Sequence, residues 1–222
     1  MAVFFQQARA ENFRPARTRP VKYIVLHYSA NRGDTARNNL AYFARETPGT
    51  SAHYFVDRTE VCQSVPEAAA AQHVGGKTRK HPDCRNDNSI GVELCDSVDG
   101  VPPETRTLAL ELVRDLMRRY HIPPERVLRH YDVTGKLCPL PWVKHPEDWW
   151  SFVGNLEDDP MTYDDFKAYM ARYRAELSSA AASMPELLAD AKAKGLTDGT
   201  RPRDFVTREE AAIMARAAAN RK

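Results

Sequence analysis

Three side chains of the types that bind zinc stand at the ends of apolar runs or just beyond them. His27 ends one run, His130 ends a shorter one, and Cys138 follows in the next loop. Two imidazoles and a thiolate suit Zn²⁺, and three protein ligands leave a fourth position open for water. An ordinary interpretation stays open, because such residues often serve packing and their spacing does not show that they meet in space.

A glutamate within a predicted strand is the next candidate. Glu93 interrupts the apolar stretch 90–94, and burying a carboxylate without a partner is costly. Either the strand turns Glu93 to solvent, or Glu93 faces a cleft and accepts a proton from an attacking water. Lys136, two residues before Cys138, is either a solvated lysine or a cation that stabilises a developing oxyanion.

Strands and helices must position these groups. The continuous apolar run Val21–Tyr28 predicts a buried strand that carries His27, and alternation over Ser89–Cys95 predicts a strand that carries Glu93. Apolar spacing from Glu104 to Tyr120 predicts an amphipathic helix. The pattern also predicts a strand–turn–strand at 54–61, a helix at 38–45 and a short strand at 126–129 that His130 closes. Mixed elements of this kind indicate a single α/β domain.

Composition and charge exclude several classes of protein. The formal net charge is +2, from 32 basic and 30 acidic residues, so no strong electrostatic case exists for nucleic acid as a partner. The apolar runs fall far short of the ~20 residues that a membrane span requires. Residues 1–9 lack the features of a secretory signal peptide, which predicts a chain that is cytoplasmic at synthesis. Four cysteines are too few for a disulfide scaffold.

Composition also divides the chain near residue 157. All seven histidines, all four cysteines and all three tryptophans precede this point, and the remainder is rich in alanine. Alanine favours helix. The sequence therefore predicts an α/β domain over residues 1–156 and a helical region over 157–222, with helices near 163–177, 185–194 and 208–219.

Four segments resemble the zinc-dependent N-acetylmuramoyl-L-alanine amidases, the type-2 amidase family that shares its fold with peptidoglycan recognition proteins. They are residues 24–30, 51–54, 88–93 and 130–139, and they follow the order of the family. The similarity is greatest to the catalytic domains of phage and prophage endolysins of Gram-positive hosts. It implies a central mixed β-sheet flanked by helices, with a zinc cleft on one face, within residues 1–156.

The resemblance implies a role for each candidate residue. The metal ligands of the family match His27, His130 and Cys138, which implies one Zn²⁺ per chain. The catalytic glutamate matches Glu93, and the catalytic lysine matches Lys136.

Two further histidines match positions near the substrate. His73 matches a histidine that lines the substrate groove, although it is also interpretable as a loop histidine. His53 matches a position near the cleft, where substrate binding and a structural hydrogen bond are equally consistent with the sequence. Many relatives have tryptophan before the groove histidine, whereas this chain has Gln72, so substrate contacts there are expected to differ.

The C-terminal region resembles a different kind of module. Residues 195–202 and 206–216 are similar to one S-layer-homology-like helix–loop–helix unit at about 185–222. The resemblance implies attachment to the wall or self-association into a homo-oligomer through these helices. The alternative is a helical tail that only aids solubility.

Together these features predict a peptidoglycan hydrolase. The expected reaction is cleavage of the amide bond between N-acetylmuramic acid and L-alanine, which would lyse bacterial walls after release of the enzyme from the cytoplasm. Two alternatives are a non-catalytic peptidoglycan-binding module and an amidase of cytoplasmic muropeptide recycling. Binding-only relatives lose the cysteine ligand and recycling amidases usually have aspartate there, so Cys138 argues against both.

Overall fold

The computed structural model describes residues 2–157, 167–168, 170–175, 185–197, 200, 211–213 and 215–216. The chain forms two compact units, Met1–Asp159 and Pro160–Lys222.

The first unit alternates strands and helices along the chain. Its strands are β1 Val3–Phe5, β2 Phe13–Arg14, β3 Tyr23–Tyr28, β4 Tyr54–Val56, β5 Val61–Gln63, β6 Ala70–Ala71, β7 Ser89–Leu94 and β8 Val127–Arg129. Its α-helices are α1 Ala36–Arg45, α2 Pro103–Tyr120, α3 His130–Thr134, α4 Leu140–Lys144 and α5 Pro146–Glu157.

Six of the strands form one mixed sheet in the order β1-β5-β4-β7-β3-β8. All neighbouring pairs are parallel except β4 and β5, which form an antiparallel hairpin. Strands β2 and β6 form a separate antiparallel pair. The fold is therefore α/β with a central, mostly parallel sheet and flanking helices, which confirms the predicted class.

Successive side chains of a strand point to opposite faces of the sheet, and the two faces contact different helices. On one face, Leu26 and Val92 join the main hydrophobic core with residues of α2, α4 and α5. On the other face, α1 packs over β4 and β5 through Leu40 and Phe55. This second face also carries the odd-numbered positions of β3 and β7, and α1 covers only part of it.

The strongly periodic elements were predictable from the sequence. The structure confirms β3, the β4–β5 hairpin, β7, α1 and α2 within a few residues. One boundary differs, because β8 ends at Arg129 and His130 begins α3 instead of closing the strand. Strands β1, β2 and β6 and helices α3, α4 and α5 were not predicted from the sequence.

In the second unit, the helix α6 Pro185–Ala193 agrees with the helix predicted at 185–194. Gly195 follows it with φ +65°, a conformation that ends helices and that glycine adopts freely. Residues 170–175 are helical, as are 211–213 and 215–216, whereas the rest of the helices predicted at 163–177 and 208–219 lies outside the described residues. Within the part of the chain that the structure describes, no helix is both long enough and apolar enough to cross a membrane.

Candidate functional site

Parallel pairing of the two central strands brings the first two candidate residues together. His27 lies directly opposite Glu93 in the register of β3 and β7. Their neighbours Leu26 and Val92 point into the main core, so His27 and Glu93 point to the other face. His27 is buried, with 2% of its surface exposed.

The other two candidate ligands come from the chain after β8. His130 is the first residue of α3, and Cys138 lies in the loop that leads to α4. The backbone N–H of Tyr131 donates to the Cys138 carbonyl at 2.9 Å, which fixes this loop beside the start of the helix. One ligand atom from each of His27, His130 and Cys138 lies within 4.8 Å of the others.

A hydrogen-bond relay sets the tautomer of His27. The Ser89 hydroxyl donates to the Arg85 carbonyl at 2.6 Å, so its oxygen accepts from His73 Nε2–H at 3.1 Å. His73 Nδ1 is then an acceptor, and His27 Nε2–H donates to it at 2.9 Å. A neutral imidazole has one donor and one acceptor nitrogen. His27 Nδ1 therefore presents a lone pair, 3.7 Å from the Cys138 sulfur.

A hydrogen bond sets the tautomer of His130 in the same way. Its Nε2–H donates to the Gly75 carbonyl at 2.9 Å. Its Nδ1 atom is buried and has no hydrogen-bond partner among the described residues. A buried acceptor without a partner is costly, and a metal ion would satisfy it. Histidine ligands commonly donate their second ring nitrogen to a carbonyl or carboxylate in this manner.

The donor set fits a zinc ion. Burial lowers the pKa of His27 well below its usual range and lowers that of His130 to about 4, so both imidazoles are neutral at pH 7. Neutral imidazole is the form that binds metals. Burial raises the pKa of the Cys138 thiol to about 12, so metal binding must displace its proton. Two imidazoles and one thiolate are a ligand combination that zinc accepts.

Glu93 occupies a position suited to proton transfer. It is half-buried, and its Oε2 atom is inaccessible to solvent and lacks a hydrogen-bond partner in the described structure. Burial raises the pKa of its carboxyl to about 7, although the charge of Lys136 acts in the opposite direction. A carboxyl group with a pKa near neutrality both accepts and returns a proton readily. Glu93 therefore faces the cleft, and the alternative in which its strand turns it to solvent is wrong.

A cavity of about 400 Å³ connects these groups to solvent. His27, His73, Glu93, His130, Lys136 and Cys138 all line it, together with residues of the loops before α1, before β4 and after β6. Lys136 is exposed at this cavity, and its charge opposes the burial effect on both Glu93 and Cys138. The cavity thus combines a set of metal ligands, a proton acceptor and a positive charge.

His53 lies outside this cavity. Its ring is fully buried, and its Nδ1 accepts from the backbone N–H of Gly91 at 3.0 Å. Its Nε2 lies 2.6 Å from Arg17 Nη2 and 3.3 Å from the Ala69 carbonyl. Burial lowers the pKa of His53 to about 3. These contacts favour the structural role over the substrate contact, the two alternatives that the sequence left open.

The residues that support the site were not predicted. Ser89 and the Gly75 carbonyl hold His73 and His130, and although Ser89 lies in the matching segment 88–93, neither residue type by itself indicates such a role. Gly91 did carry a signal, because glycine within a buried strand often indicates a close approach. A Cβ atom at Gly91 would lie only 2.7 Å from the His73 ring.

We expect Gly91→Ala to displace His73 and thereby release the hydrogen bond that holds His27. The variant should bind zinc about 10–100-fold more weakly, as is typical when a hydrogen-bond partner of a metal ligand is lost. It should also melt at a lower temperature. Competition with a chromophoric chelator and thermal denaturation measure the two effects. Gly154→Ala is the matched control, since an added Cβ there meets nothing within 4 Å. Unchanged zinc affinity in Gly91→Ala would show that His73 does not support the site.

Comparison with known proteins gives a consistent result. The profile of a family described as N-acetylmuramoyl-L-alanine amidase matches residues 17–141. The amidase CwlL of Bacillus licheniformis is 44% identical over 134 residues, which cover 55% of this chain and 37% of that protein. The amidase CwlH of Bacillus subtilis is 30% identical over 145 residues, which cover 64% of this chain and 56% of that protein.

Solved structures extend the similarity to the fold. The structure of PlyL is 27% identical with a TM-score of 0.62, and the match covers 70% of this chain and 97% of that one. The catalytic domain of XlyA is 28% identical with a TM-score of 0.61, covering 70% of this chain and 99% of that domain. The chain spans less than two thirds of the length of CwlL and CwlH, but nearly all of both structures.

Proposed function

This chain belongs to the N-acetylmuramoyl-L-alanine amidase family, and from that premise we propose that it cleaves the amide bond between N-acetylmuramic acid and L-alanine in peptidoglycan. One observation carries the proposal. One ligand atom from each of His27, His130 and Cys138 lies within 4.8 Å of the other two, and Glu93 lies beside His27 across the strand pair. Such a complete set supports hydrolysis over binding alone.

His27 Nδ1, His130 Nδ1 and Cys138 Sγ would hold the zinc ion. When bound, zinc supplies Lewis-acid polarisation of the scissile carbonyl and a nucleophile at neutral pH. The chain's own residues direct the metal to these atoms, because both Nε2 atoms are occupied by hydrogen bonds to His73 and Gly75.

Glu93 is the proton carrier in this mechanism. Its carboxylate accepts a proton as the oxygen of water bonds to the carbonyl carbon of the lactyl group. The same carboxyl then gives that proton to the alanine nitrogen as the carbon–nitrogen bond breaks, so the products are a lactyl carboxylate and a free amine. A pKa near neutrality allows both transfers. The ammonium group of Lys136 stabilises the negative charge on the carbonyl oxygen between the two steps.

Hydrolysis of a soluble N-acetylmuramoyl-L-alanyl peptide tests this function. We expect release of a free alanine amine at a rate that a zinc chelator abolishes and added zinc restores. Absence of cleavage by zinc-loaded protein would refute the proposal.

We further propose that the region after residue 157 attaches the enzyme to the wall or associates with a second copy. The support is the resemblance of residues 185–222 to one S-layer-homology-like unit, whose described residues include the helix α6, Gly195 and the helical residues 211–213 and 215–216. Peptidoglycan as the substrate makes the cell wall, reached after release from the cytoplasm, the place of action.

Removal of residues 160–222 should leave hydrolysis of a soluble muropeptide within about twofold of the full chain, because the candidate site lies within Met1–Asp159. Clearing of intact walls should be several-fold slower, since attachment raises the local concentration of the enzyme. Wall pull-down and light scattering distinguish attachment from self-association. A truncated chain with the same wall affinity and the same oligomeric mass would show that the region does neither.

A further inference from the structure

The segment that begins at Gly75 lies beside the candidate site. The Gly75 carbonyl accepts from His130 Nε2 at 2.9 Å. Farther along, the backbone N–H groups of Lys80 and His81 both donate to the Val133 carbonyl, at 2.9 and 3.2 Å. The Thr78 hydroxyl donates to the carbonyl of Thr134. Residues 75–81 are thus fixed along α3, directly beside a candidate metal ligand.

This segment carries a row of exposed cations. Lys77, Arg79 and Lys80 are all exposed. Lys80 Nζ lies 4.1 Å from the centre of the Tyr131 ring, and its Cε lies 3.0 Å from the position of a Cβ at Gly135. Lys136, the residue that follows Gly135, lines the cavity. Lys77, Arg79, Lys80 and Lys136 together form what we call the basic rim.

The acids nearest to the basic rim in sequence are engaged by other cations. Asp83 and Asp87 both form ion pairs with Arg19, at 3.1 and 2.6 Å. Asp132 pairs with Arg129 at 2.8 Å. Among the residues that the structure describes, no carboxylate lies within 4.0 Å of a charged nitrogen of the basic rim. Within this described part of the chain, Lys77, Arg79 and Lys80 therefore keep a positive charge that no ion pair compensates, and Lys136 extends the rim to the cavity, which it lines.

We propose that the basic rim binds carboxylates of the stem peptide, an inference that rests on the proposed function. In the substrate, the carboxyl group of muramic acid is consumed in the scissile amide, so the sugar side carries no charge there. The peptide side beyond alanine carries the free carboxylates. Charge complementarity therefore places the peptide along the segment 75–81 and the sugar toward the opposite end of the cavity.

The length of the stem peptide allows this orientation. An extended peptide advances ~3.3 Å per residue, so its second to fourth residues lie roughly 7–13 Å from the scissile bond. The rim begins two residues after Gly75, which contacts His130. Long, flexible lysine and arginine side chains reach carboxylates over this range.

Two synthetic muramoyl peptides test the assignment, identical except that one carries free carboxylates beyond alanine and the other carries amides. We expect the wild type to prefer the carboxylate form by about tenfold in kcat/KM at low salt, with a smaller preference at high salt because screening weakens exposed pairs. The double variant Lys77→Gln, Arg79→Gln should reduce this ratio about fivefold or more. The double variant Arg106→Gln, Lys144→Gln removes the same charge away from the rim and should keep the ratio.

Binding of both peptides to zinc-loaded Glu93→Gln, with and without the rim substitutions, separates recognition from turnover. If neither peptide is cleaved by the wild type but the binding preference persists and depends on the rim, the proposed function fails and the inference stands. Equal binding of both peptides, or a preference that survives neutralisation of the rim, would overturn the inference. The inference would also be overturned if the rim substitutions weakened binding only to cell walls that carry phosphate groups and left the preference between the two peptides unchanged. Thermal midpoint and zinc content verify that each variant is folded.

Discussion

Glu93→Gln should lose about 10²–10⁴-fold in turnover, the range that a positioned general base contributes, while retaining its zinc. Glutamine preserves the size of the side chain but cannot accept the proton of the attacking water. Glu93 lies on β7 outside the ligand set, so the three ligands should stay in place. Turnover on a soluble muropeptide, zinc content and thermal midpoint are measured on the same preparation.

The three measurements distinguish three roles for Glu93. Low turnover with full zinc content supports the proton carrier. Loss of zinc together with turnover would make Glu93 a ligand or a support of one. Near-wild-type turnover would remove the base assignment from Glu93. Glu125→Gln, in an exposed 3-10 turn, is the matched control and should change nothing.

Cys138→Ser should lose at least about 100-fold in zinc affinity, more than is typical for a partner that only supports a ligand. Serine places a hydroxyl where the metal requires a thiolate, and only two imidazoles then remain. Turnover should fall in proportion to the zinc lost. Zinc analysis after dialysis, and competition with a chromophoric chelator, measure the change directly.

The other cysteines provide the controls for this experiment. Cys62, Cys84 and Cys95 are each fully buried and free, and burial raises the pKa of each thiol as it does for Cys138. A raised pKa therefore does not single out the ligand, whereas position beside two histidines does. The variants Cys62→Ser, Cys84→Ser and Cys95→Ser should each melt at a lower temperature than the wild type, because a hydroxyl is costlier to bury than a thiol. Each should nevertheless bind zinc normally. A control variant that failed to bind zinc would transfer the ligand role to that cysteine.

Local pattern predicted the elements that carry the site better than it predicted the site itself. Strand β3 and helix α2 were recognisable because apolar residues repeat with the period of a buried strand or an amphipathic helix. The pairing of β3 with β7 was not recognisable, since register depends on contacts between distant segments. That register is what places Glu93 beside His27.

The limits of the sequence appear most clearly around the ligands. The helix α3 has only five residues, too short for a periodic signal, and it sets the position of His130. Ser89 fixes the tautomer of His27 only through His73, and such a relay is visible only in three dimensions. His53 could not be assigned from its type, because its fully buried contacts with the backbone decide its role.

Digestion of purified cell walls followed by mass analysis of the products shows directly which bond the enzyme cleaves. We expect new free amino groups on alanine, paired with glycan strands whose muramic acid carries a free lactyl carboxylate and whose sugar linkages are intact. These products should be absent when Glu93→Gln replaces the wild type. New reducing sugar ends with the peptide still attached to muramic acid, or new amines only on other residues of the peptide, would show that the enzyme cleaves a different bond.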